Sequence, residues 1–318
     1  MIGPVVVLGD VNVDLSLALP DRDVPKAQRR LSEPQMTGGG TGGNAAAALA
    51  ALGTLVEFHG TIGDDGFGRW VTQDFQQAGV GTHGLIVLPE VYTPEVIALV
   101  EPDGERYLVI WPMAGGAHTH MRPEHLDADL ICGASWLHTT GMCLRASPIS
   151  ETVLAGMAMA RAAHVPTSID LNLRIELWGL NDEVRVTIER ALVLADVVFG
   201  SGPEELMPLA RAATVEQAAQ HLSGGVRTIV ARLGAAGALA TTPDGQILHA
   251  PGFPAAVVST LGAGDAFDGG FITARVEGKT LAEALRWGNA VAALKIARPG
   301  GARDLPTSDE VEALLHNH

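Results

Sequence analysis

The residues best suited to chemistry lie in one short stretch, with the sequence Ser259-Thr260-Leu261-Gly262-Ala263-Gly264-Asp265. It follows an extended segment and opens a helical pattern, which predicts a turn between a strand and a helix. Backbone N–H groups at such a helix N-terminus attract anions. Asp265 is the only carboxylate in the turn. A base beside an anion site suits phosphoryl transfer to a hydroxyl group, although an ordinary strand-to-helix turn can have the same sequence.

A second concentration of glycine spans residues 38–44, with the sequence GGGTGGN. Three of its glycines match the GxGxxG pattern of dinucleotide-binding proteins, with Glu57 at a suitable distance downstream: Gly38, Gly40 and Gly43. That pattern must directly follow a strand, and residues 33–36 do not predict one. A plain glycine-rich connection is another alternative. We favour a backbone that closely approaches a polar ligand, with the Asn44 amide as donor and acceptor.

The predicted secondary structure around these residues follows two different patterns. From about residue 130 onward, predicted strands and helices alternate, which indicates an α/β fold with a mostly parallel central sheet and helices on both faces. Two earlier parts of the chain, about 13–34 and 91–112, instead have extended, alternating patterns with a turn signal at residues 102–105. We expect one domain over residues 1–318, with these two parts forming a small β-sheet lid.

Composition excludes several classes of partner. The 318 residues include 21 basic and 36 acidic side chains, a net charge of −15, which argues against binding to nucleic acid or to an anionic membrane surface. Cys132 and Cys143 form neither a disulfide framework nor a CxxC pair, so buried free thiols in a reducing compartment are expected. We find no secretion signal at the start and no apolar run of roughly 18 residues or more, so we expect a cytoplasmic protein.

Together these stretches resemble the ribokinase-like (PfkB) carbohydrate kinase family, and the resemblance covers nearly the whole chain. The N-terminal motif of the family is similar to residues 39–46, followed at the family's spacings by Gly53 and Gly63. Its C-terminal motif is similar to residues 259–265, continuing to Gly269-Gly270-Phe271. The resemblance implies a ribokinase-like fold, ATP and Mg²⁺ as cofactors, and a homodimer joined through the β lid.

The resemblance also implies roles for single residues. Asp265 would be the general base for the acceptor hydroxyl, and an anion hole would be formed by the amides of Gly262, Ala263 and Gly264. The acceptor sugar would be bound by Asn12, Asp14, Gly40, Thr41, Gly42, Gly43 and Asn44. The nucleotide would lie near Arg232, Gly234, Gly237 and Asn289. Glu205 would hold Mg²⁺ through water, although Gly202 stands where the family usually has Asn. Many members bind a monovalent cation with an Asp at the position of Ser259, so potassium activation stays open.

The identity of the acceptor is less determined. The sequence Asp170-Leu171-Asn172-Leu173-Arg174 is similar to a stretch of 2-keto-3-deoxygluconate kinases and fructokinases. Arg174 is predicted either to recognise an anion in the cleft or to form a structural ion pair with Asp170. The lid stretch 110–113 lacks the Arg that keto-deoxygluconate kinases carry, which weakens the interpretation that the acceptor is an acidic sugar. Phosphosugar acceptors are less favoured still, because few basic residues cluster near the motifs.

The sequence thus predicts an ATP-dependent kinase that phosphorylates a hydroxymethyl group of a non-phosphorylated sugar or sugar acid. A nucleoside kinase of the same family is the first alternative. A non-catalytic sugar-binding protein on the same fold is the second, and a dehydrogenase is a distant third.

Overall fold

A computed structural model describes residues 3–21, 23–25, 33–102, 106–112 and 115–317. Within these ranges the chain forms two sheets. In chain order, the strands are β1 (Val5–Leu8), β2 (Asn12–Ala18), β3 (Gln35–Gly39), β4 (Val56–Gly63), β5 (Leu85–Leu88), β6 (Glu95–Val100), β7 (Arg106–Trp111), β8 (Trp136–Thr140), β9 (Thr167–Asp170), β10 (Val197–Ser201), β11 (Thr228–Arg232), β12 (Ala238–Thr241) and β13 (Ile247–Ala250).

The large sheet has nine strands in the order β13-β12-β11-β10-β9-β8-β1-β4-β5. Seven neighbouring strands, from β11 to β5, pair in parallel, and β12 and β13 add antiparallel at one edge. The central strand β1 shows why the sheet is covered on both faces. Val5 and Val7 pack into one apolar cluster, and Val6 and Leu8 into another on the opposite face. Strands buried on both faces are typical of parallel sheets with helices on each side.

The helices confirm the predicted alternation. They are α1 (Thr41–Ala51), α2 (Gly66–Gln77), α3 (Ala128–Cys132), α4 (Ile149–Ala162), α5 (Ile175–Trp178), α6 (Asp182–Leu194), α7 (Met207–Ala210), α8 (Val215–Ser223), α9 (Ala263–Val276), α10 (Leu281–Ile296) and α11 (Ser308–His316). Their starts are set by local chemistry. Side chains of Asn181, Thr214 and Thr280 accept hydrogen bonds from first-turn N–H groups of α6, α8 and α10.

The small sheet has the order β3-β2-β6-β7, with β2 and β6 parallel and the outer pairs antiparallel. It contains strands from both predicted lid segments. The third strand, Gln35–Gly39, lies beyond the predicted limit at residue 34, so the expectation that no strand precedes the glycine run is wrong. This strand is held by backbone pairing with β2, which side-chain patterns do not reveal. Residues 22, 26–32 and 103–105 of the predicted lid lie outside the described residues.

Two further sequence expectations concern surfaces. Both cysteines are free, but only Cys143 is buried, whereas Cys132 is exposed at the end of α3. The expectation of two buried thiols is therefore wrong for Cys132. Across the described ranges, every helix is too short or too polar to span a bilayer.

Candidate active site

The site lies at the carboxyl edge of the large sheet. Thr140, Asp170, Ser201 and Arg232 are the last residues of four adjacent strands, β8, β9, β10 and β11. Because parallel strands end on the same side of a sheet, their terminal side chains meet there. Two glycine segments, the β3–α1 junction and the turn before α9, complete the site.

The turn before α9 has the shape that its glycines predict. Gly262 has φ 73° and occupies the N-cap of α9, in the left-handed region that favours glycine. The Ala263 N–H donates to the Thr260 carbonyl at 3.2 Å, so this amide already has a partner. Among the described residues, no acceptor pairs with the Gly262 or Gly264 N–H. The turn therefore offers two backbone donors and the positive end of a helix.

Asp265 lies in the first turn of α9 and is buried, with 8% of its surface exposed. Its Oδ2 accepts a hydrogen bond from the Asn44 Nδ2 at 2.9 Å, which joins the two glycine segments. Burial raises the pKa of Asp265 to about 7, the nearby Asp170 charge adds to this, and the Asn44 hydrogen bond opposes it. A carboxylate with this pKa can accept a proton near neutral pH.

Arg232 is the cation of a buried group of acids. Its guanidinium donates to both Asp170 oxygens at 2.7 and 3.1 Å and to Asp268 Oδ1 at 2.8 Å, and it lies 3.9 Å from Glu205. The predicted alternative of an Arg174–Asp170 ion pair is therefore wrong. The guanidinium carbon also lies 3.3 Å from the position that a Cβ on Gly264 would take. A fixed positive charge thus sits directly against the turn.

The acceptor residues predicted on β2 lie side by side. The Asn12 Nδ2 donates to Asp14 Oδ1 at 2.5 Å, and a Cβ on Gly39 would come within 2.5 Å of that same oxygen. Only glycine fits beside this carboxylate. Burial raises the pKa of Asp14, and the Asn12 hydrogen bond and the Arg303 charge oppose that rise.

The start of α1 is held by a carboxylate that the sequence analysis did not select. Asp10 accepts hydrogen bonds from the Thr41 N–H and hydroxyl, both at 2.9 Å, and from the Thr140 hydroxyl at 3.0 Å. The Gly42 N–H donates to it at 3.2 Å. Asp10 therefore fixes Thr41 and Gly42 at the N-terminus of α1, beside Gly43 and the buried Asn44.

A cavity of about 680 Å³ opens beside the turn. It is lined by Asp170, Asn172, Arg174, Glu176, Ser201, Glu204, Glu205, Arg232 and residues 257–265. Arg174 thus faces this cavity, and Asp265 forms part of its wall while bonding to Asn44. Asp265 therefore connects the cavity to Asn44, the predicted acceptor residue at the start of α1.

The other predicted cofactor residues lie farther from the cavity wall. Gly234 begins a short 3₁₀ turn between β11 and β12, and Gly237 directly follows it, with φ of 59° and 96°. The Asn289 Nδ2 donates to the Ala250 and Pro251 carbonyls at 2.9 and 3.1 Å, which fixes α10 to the end of β13. The roles of these residues toward a nucleotide stay predictions.

Glu205 lines the cavity, but its oxygens are engaged. They accept from the Leu173 N–H at 2.5 Å and from the Ser201 N–H at 2.7 Å. Among the described residues, no group of three or more His, Cys, Asp or Glu side chains could hold a metal ion. Both carboxylate oxygens of Glu205 are therefore already bonded within the chain, and the role of Glu205 toward Mg²⁺ stays a prediction.

The sequence analysis missed three charged residues of the site: Asp10, Asp268 and Arg303. Asp10 lies two residues after the end of the first strand, a position that could have signalled it. Asp268 lies on α9 between the two parts of the predicted motif, Asp265 and Gly269, and its burial was not evident. Arg303 lies in the connection between α10 and α11, which carries no motif.

The fold is the ribokinase-like α/β fold. Fructokinase from Xylella fastidiosa, solved with bound ATP, superimposes with a TM-score of 0.85 at 28% identity, covering 99% of this chain and 98% of that chain. Residues 4–308 match the pfkB family carbohydrate kinases, and the chain belongs to this family.

Curated relatives cover nearly the full length. Aminoimidazole riboside kinase of Salmonella typhimurium is 33% identical over 98% of this chain and 95% of its own length. The 5-dehydro-2-deoxygluconokinase of Shouchella clausii is 28% identical over the same shares, 98% and 95%. These two relatives and the fructokinase confirm the predicted family and the kinase class. The three proteins are named for three different acceptors.

Proposed function

We propose that this protein transfers the terminal phosphoryl group of ATP to a hydroxymethyl group of a non-phosphorylated sugar or sugar acid. One observation carries the proposal: Asp265, with a pKa raised to about 7, is hydrogen-bonded to Asn44 and also forms part of the wall of the glycine-turn cavity. A base in this position can reach an acceptor hydroxyl on one side and a phosphoryl group on the other.

The acceptor is bound on the β2 and α1 side. Asn12, Asp14 and Asn44 offer carboxylate and amide groups, which pair with sugar hydroxyls because a hydroxyl both donates and accepts. Ionised Asp265 takes the proton of the attacking hydroxyl as the oxygen–phosphorus bond forms and the bond to the leaving ADP oxygen breaks. The proton ends on Asp265 and the negative charge on ADP.

Negative charge on the transferred group is stabilised at the turn. The Gly262 and Gly264 N–H groups are the available donors, with Ala263 able to contribute only by sharing its bond to Thr260. The guanidinium of Arg232 behind Gly264 adds a fixed positive charge. Preorganised donors of this kind supply much of the acceleration in phosphoryl transfer.

The cavity is suited to a nucleoside triphosphate together with Mg²⁺. Its volume of about 680 Å³ lies in the usual range of small-molecule sites. Mg²⁺ prefers oxygen ligands and keeps several waters, so exposed Glu204 and water-mediated Glu205 fit it better than a closed metal cage would. When bound, Mg²⁺ neutralises charge on the phosphates.

A riboside or nucleoside kinase is the second candidate, because the 33% identical relative is an aminoimidazole riboside kinase. The same hydroxyl-binding side chains can bind a ribose. Arg174 in the cavity wall supports either an anionic acceptor or contact with ATP phosphates.

An ADP-release assay with a panel of sugars, sugar acids, nucleosides and sugar phosphates tests the proposal. We expect turnover with at least one non-phosphorylated acceptor and with ATP and Mg²⁺ present. Thermal stabilisation by a sugar without ADP release would instead support a sugar-binding protein. Turnover with sugar phosphates alone would contradict the acceptor class.

The small sheet supports a homodimer as a further part of the proposal. Its edge strand β7 exposes consecutive large apolar side chains on both faces, each 40–63% exposed: Tyr107, Leu108, Val109, Ile110 and Trp111. An exposed apolar edge strand is a site for pairing with another chain. The occupant we propose is β7 of a second copy.

A further inference from the structure

The connection between α10 and α11, residues 297–307, supports the turn before α9. A Cβ on Gly262 would lie 3.0 Å from the Ala302 Cβ, so the two backbones are in close contact. Where α10 ends, the Ile296 carbonyl accepts hydrogen bonds from the Val258 and Ser259 N–H groups at 2.7 and 3.1 Å. Movement of this connection would therefore also move the anion-binding turn.

Arg303, the residue after Ala302, reaches the lid. Its Nε donates to the Gly38 carbonyl on β3 at 3.3 Å, and its Nη1 lies 3.5 Å from Asp74 Oδ2 on α2. The guanidinium carbon lies 5.3 Å from the Phe75 ring centre. Gly38 pairs with Val13, between the positions of Asn12 and Asp14. Arg303 thus holds the strand that pairs with the acceptor-binding strand.

The charge of Arg303 also acts on the acceptor residues. Its side chain is 12% exposed, and its Nη1 and Nη2 have no hydrogen-bond partner in the part of the chain that the structure describes. Arginine stays protonated in proteins. The Arg303 charge opposes the burial that raises the pKa of Asp14, so it favours the ionised form of this acceptor-binding group.

We infer that Arg303 is a positioning residue that couples the lid strands to the glycine turn. The connection runs from β2 through Gly38 to Arg303, and from Ala302 to Gly262. Acceptor binding that shifts β2 and β3 therefore also sets the position of the anion-binding amides. This inference rests on the proposed function for its catalytic meaning, but the coupling itself belongs to the folded chain.

Hydrogen exchange of the ligand-free protein tests the coupling without any substrate. We expect Arg303→Met to speed amide exchange by roughly fivefold or more in both 35–39 and 259–264, because it removes the side-chain contact by which the connection that supports the turn holds Gly38. Arg298→Met is the matched control, since Arg298 lies in the same connection but bonds Asp304 and Leu305 and contacts Glu310, away from the lid. Faster exchange in only one of the two segments, or the same pattern in Arg298→Met, would overturn the inference.

Steady-state kinetics test whether the coupling through Arg303 affects catalysis, with an acceptor identified in the ADP-release assay. Arg303→Met should raise the acceptor KM by about fivefold or more, with the ATP KM changed less than about twofold, because it releases Gly38 on the strand beside Asn12 and Asp14 and removes the charge that favours ionised Asp14. It should also raise the share of ATP hydrolysed without transfer. Arg303→Lys, which keeps the charge, should recover part of the acceptor KM.

A second variant and a stability measurement separate a coupling role of Arg303 from a purely structural one. If Arg303→Met does not fold, Gly38→Ala replaces it, because a Cβ there would lie 2.5 Å from both the Arg303 Nη2 and the Asp74 Oδ2. Unchanged KM values together with a lowered Tm would show a purely structural residue and reject the inference. Absence of turnover with every acceptor would reject the proposed function, while the exchange result would still decide the coupling.

Discussion

Asn44 and Asp265 are 221 residues apart in the chain, yet the Asn44 amide donates directly to the Asp265 carboxylate at 2.9 Å. Asn44 lies near the start of α1, and Asp265 near the start of α9. The two helices therefore place their N-terminal ends close together, where the glycine turn meets Asn44, one of the residues proposed to bind the acceptor. The hydrogen bond fixes one carboxylate oxygen, and the other oxygen stays available for a hydroxyl.

The first prediction concerns the base itself. Asp265→Asn keeps the shape of the side chain and removes its proton-accepting capacity, so kcat should fall by at least ~10² with little change in ATP affinity. Steady-state kinetics on the true acceptor measure this. Asp244→Asn, at an exposed turn between β12 and β13, serves as the control. Retention of more than a tenth of the activity would remove Asp265 from this role.

The pH dependence follows from the pKa of Asp265, which burial raises to about 7. The base must be ionised to accept a proton, so kcat/KM should rise with pH and level off above about 7, with a slope of roughly one log unit per pH unit below it. A rate profile from pH 5 to 9 is the measurement. A profile that is flat down to pH 5 would contradict the assigned base.

The same raised pKa has an opposite effect on stability. The folded protein binds the Asp265 proton more tightly than the unfolded chain does, so this group favours folding at low pH. That contribution is lost as pH rises from the ordinary value of 3.8 to about 7. The free energy of unfolding of Asp265→Asn minus that of the native protein should therefore be larger at pH 8 than at pH 5, as measured by urea unfolding. Equal differences at the two pH values would argue against the shift.

Acceptor recognition by Asp14 gives another prediction. Loss of a buried partner of a substrate hydroxyl costs about 1–3 kcal/mol, so Asp14→Ala should raise the acceptor KM by roughly tenfold and leave the ATP KM nearly unchanged. Kinetics with each substrate varied in turn measure both constants. Asp21→Ala, an exposed residue just beyond β2, is a control on the same connection. An equal rise in both KM values would reject a specific role for Asp14.

The proposed dimer is tested on the exposed strand β7. The native protein should scatter light as a dimer at micromolar concentration, and Leu108→Asp should shift it to a monomer because a charge there opposes burial of the strand. Val226→Asp, an equally exposed apolar residue far from the lid, should leave the mass unchanged. A native monomer would contradict the dimer, whereas the catalytic proposal would stand.

Sequence analysis predicted the site where its residues are contiguous. The glycine turn with Asp265 and the α1 segment with Asn44 were each visible as short motifs, and the alternation of strands and helices predicted from about residue 130 onward is confirmed. Partner choice was not predictable in the same way. Arg174 lies nearer Asp170 in sequence, but Asp170 pairs with Arg232, because the end of β11 lies only two strands from the end of β9. Such contacts depend on strand order, which local patterns do not contain.

The four-stranded sheet and the nine-stranded sheet contribute different groups to the site. The groups proposed for phosphoryl transfer end rigid parallel strands or begin α9, whereas Asn12 and Asp14 lie on a separate, smaller sheet. Substitutions in the smaller sheet that keep the contact between Gly38 and Arg303 are therefore expected to change acceptor preference without disturbing the transfer groups. This separation gives natural selection, or a protein engineer, a surface on which new specificities can arise while the chemistry is inherited intact.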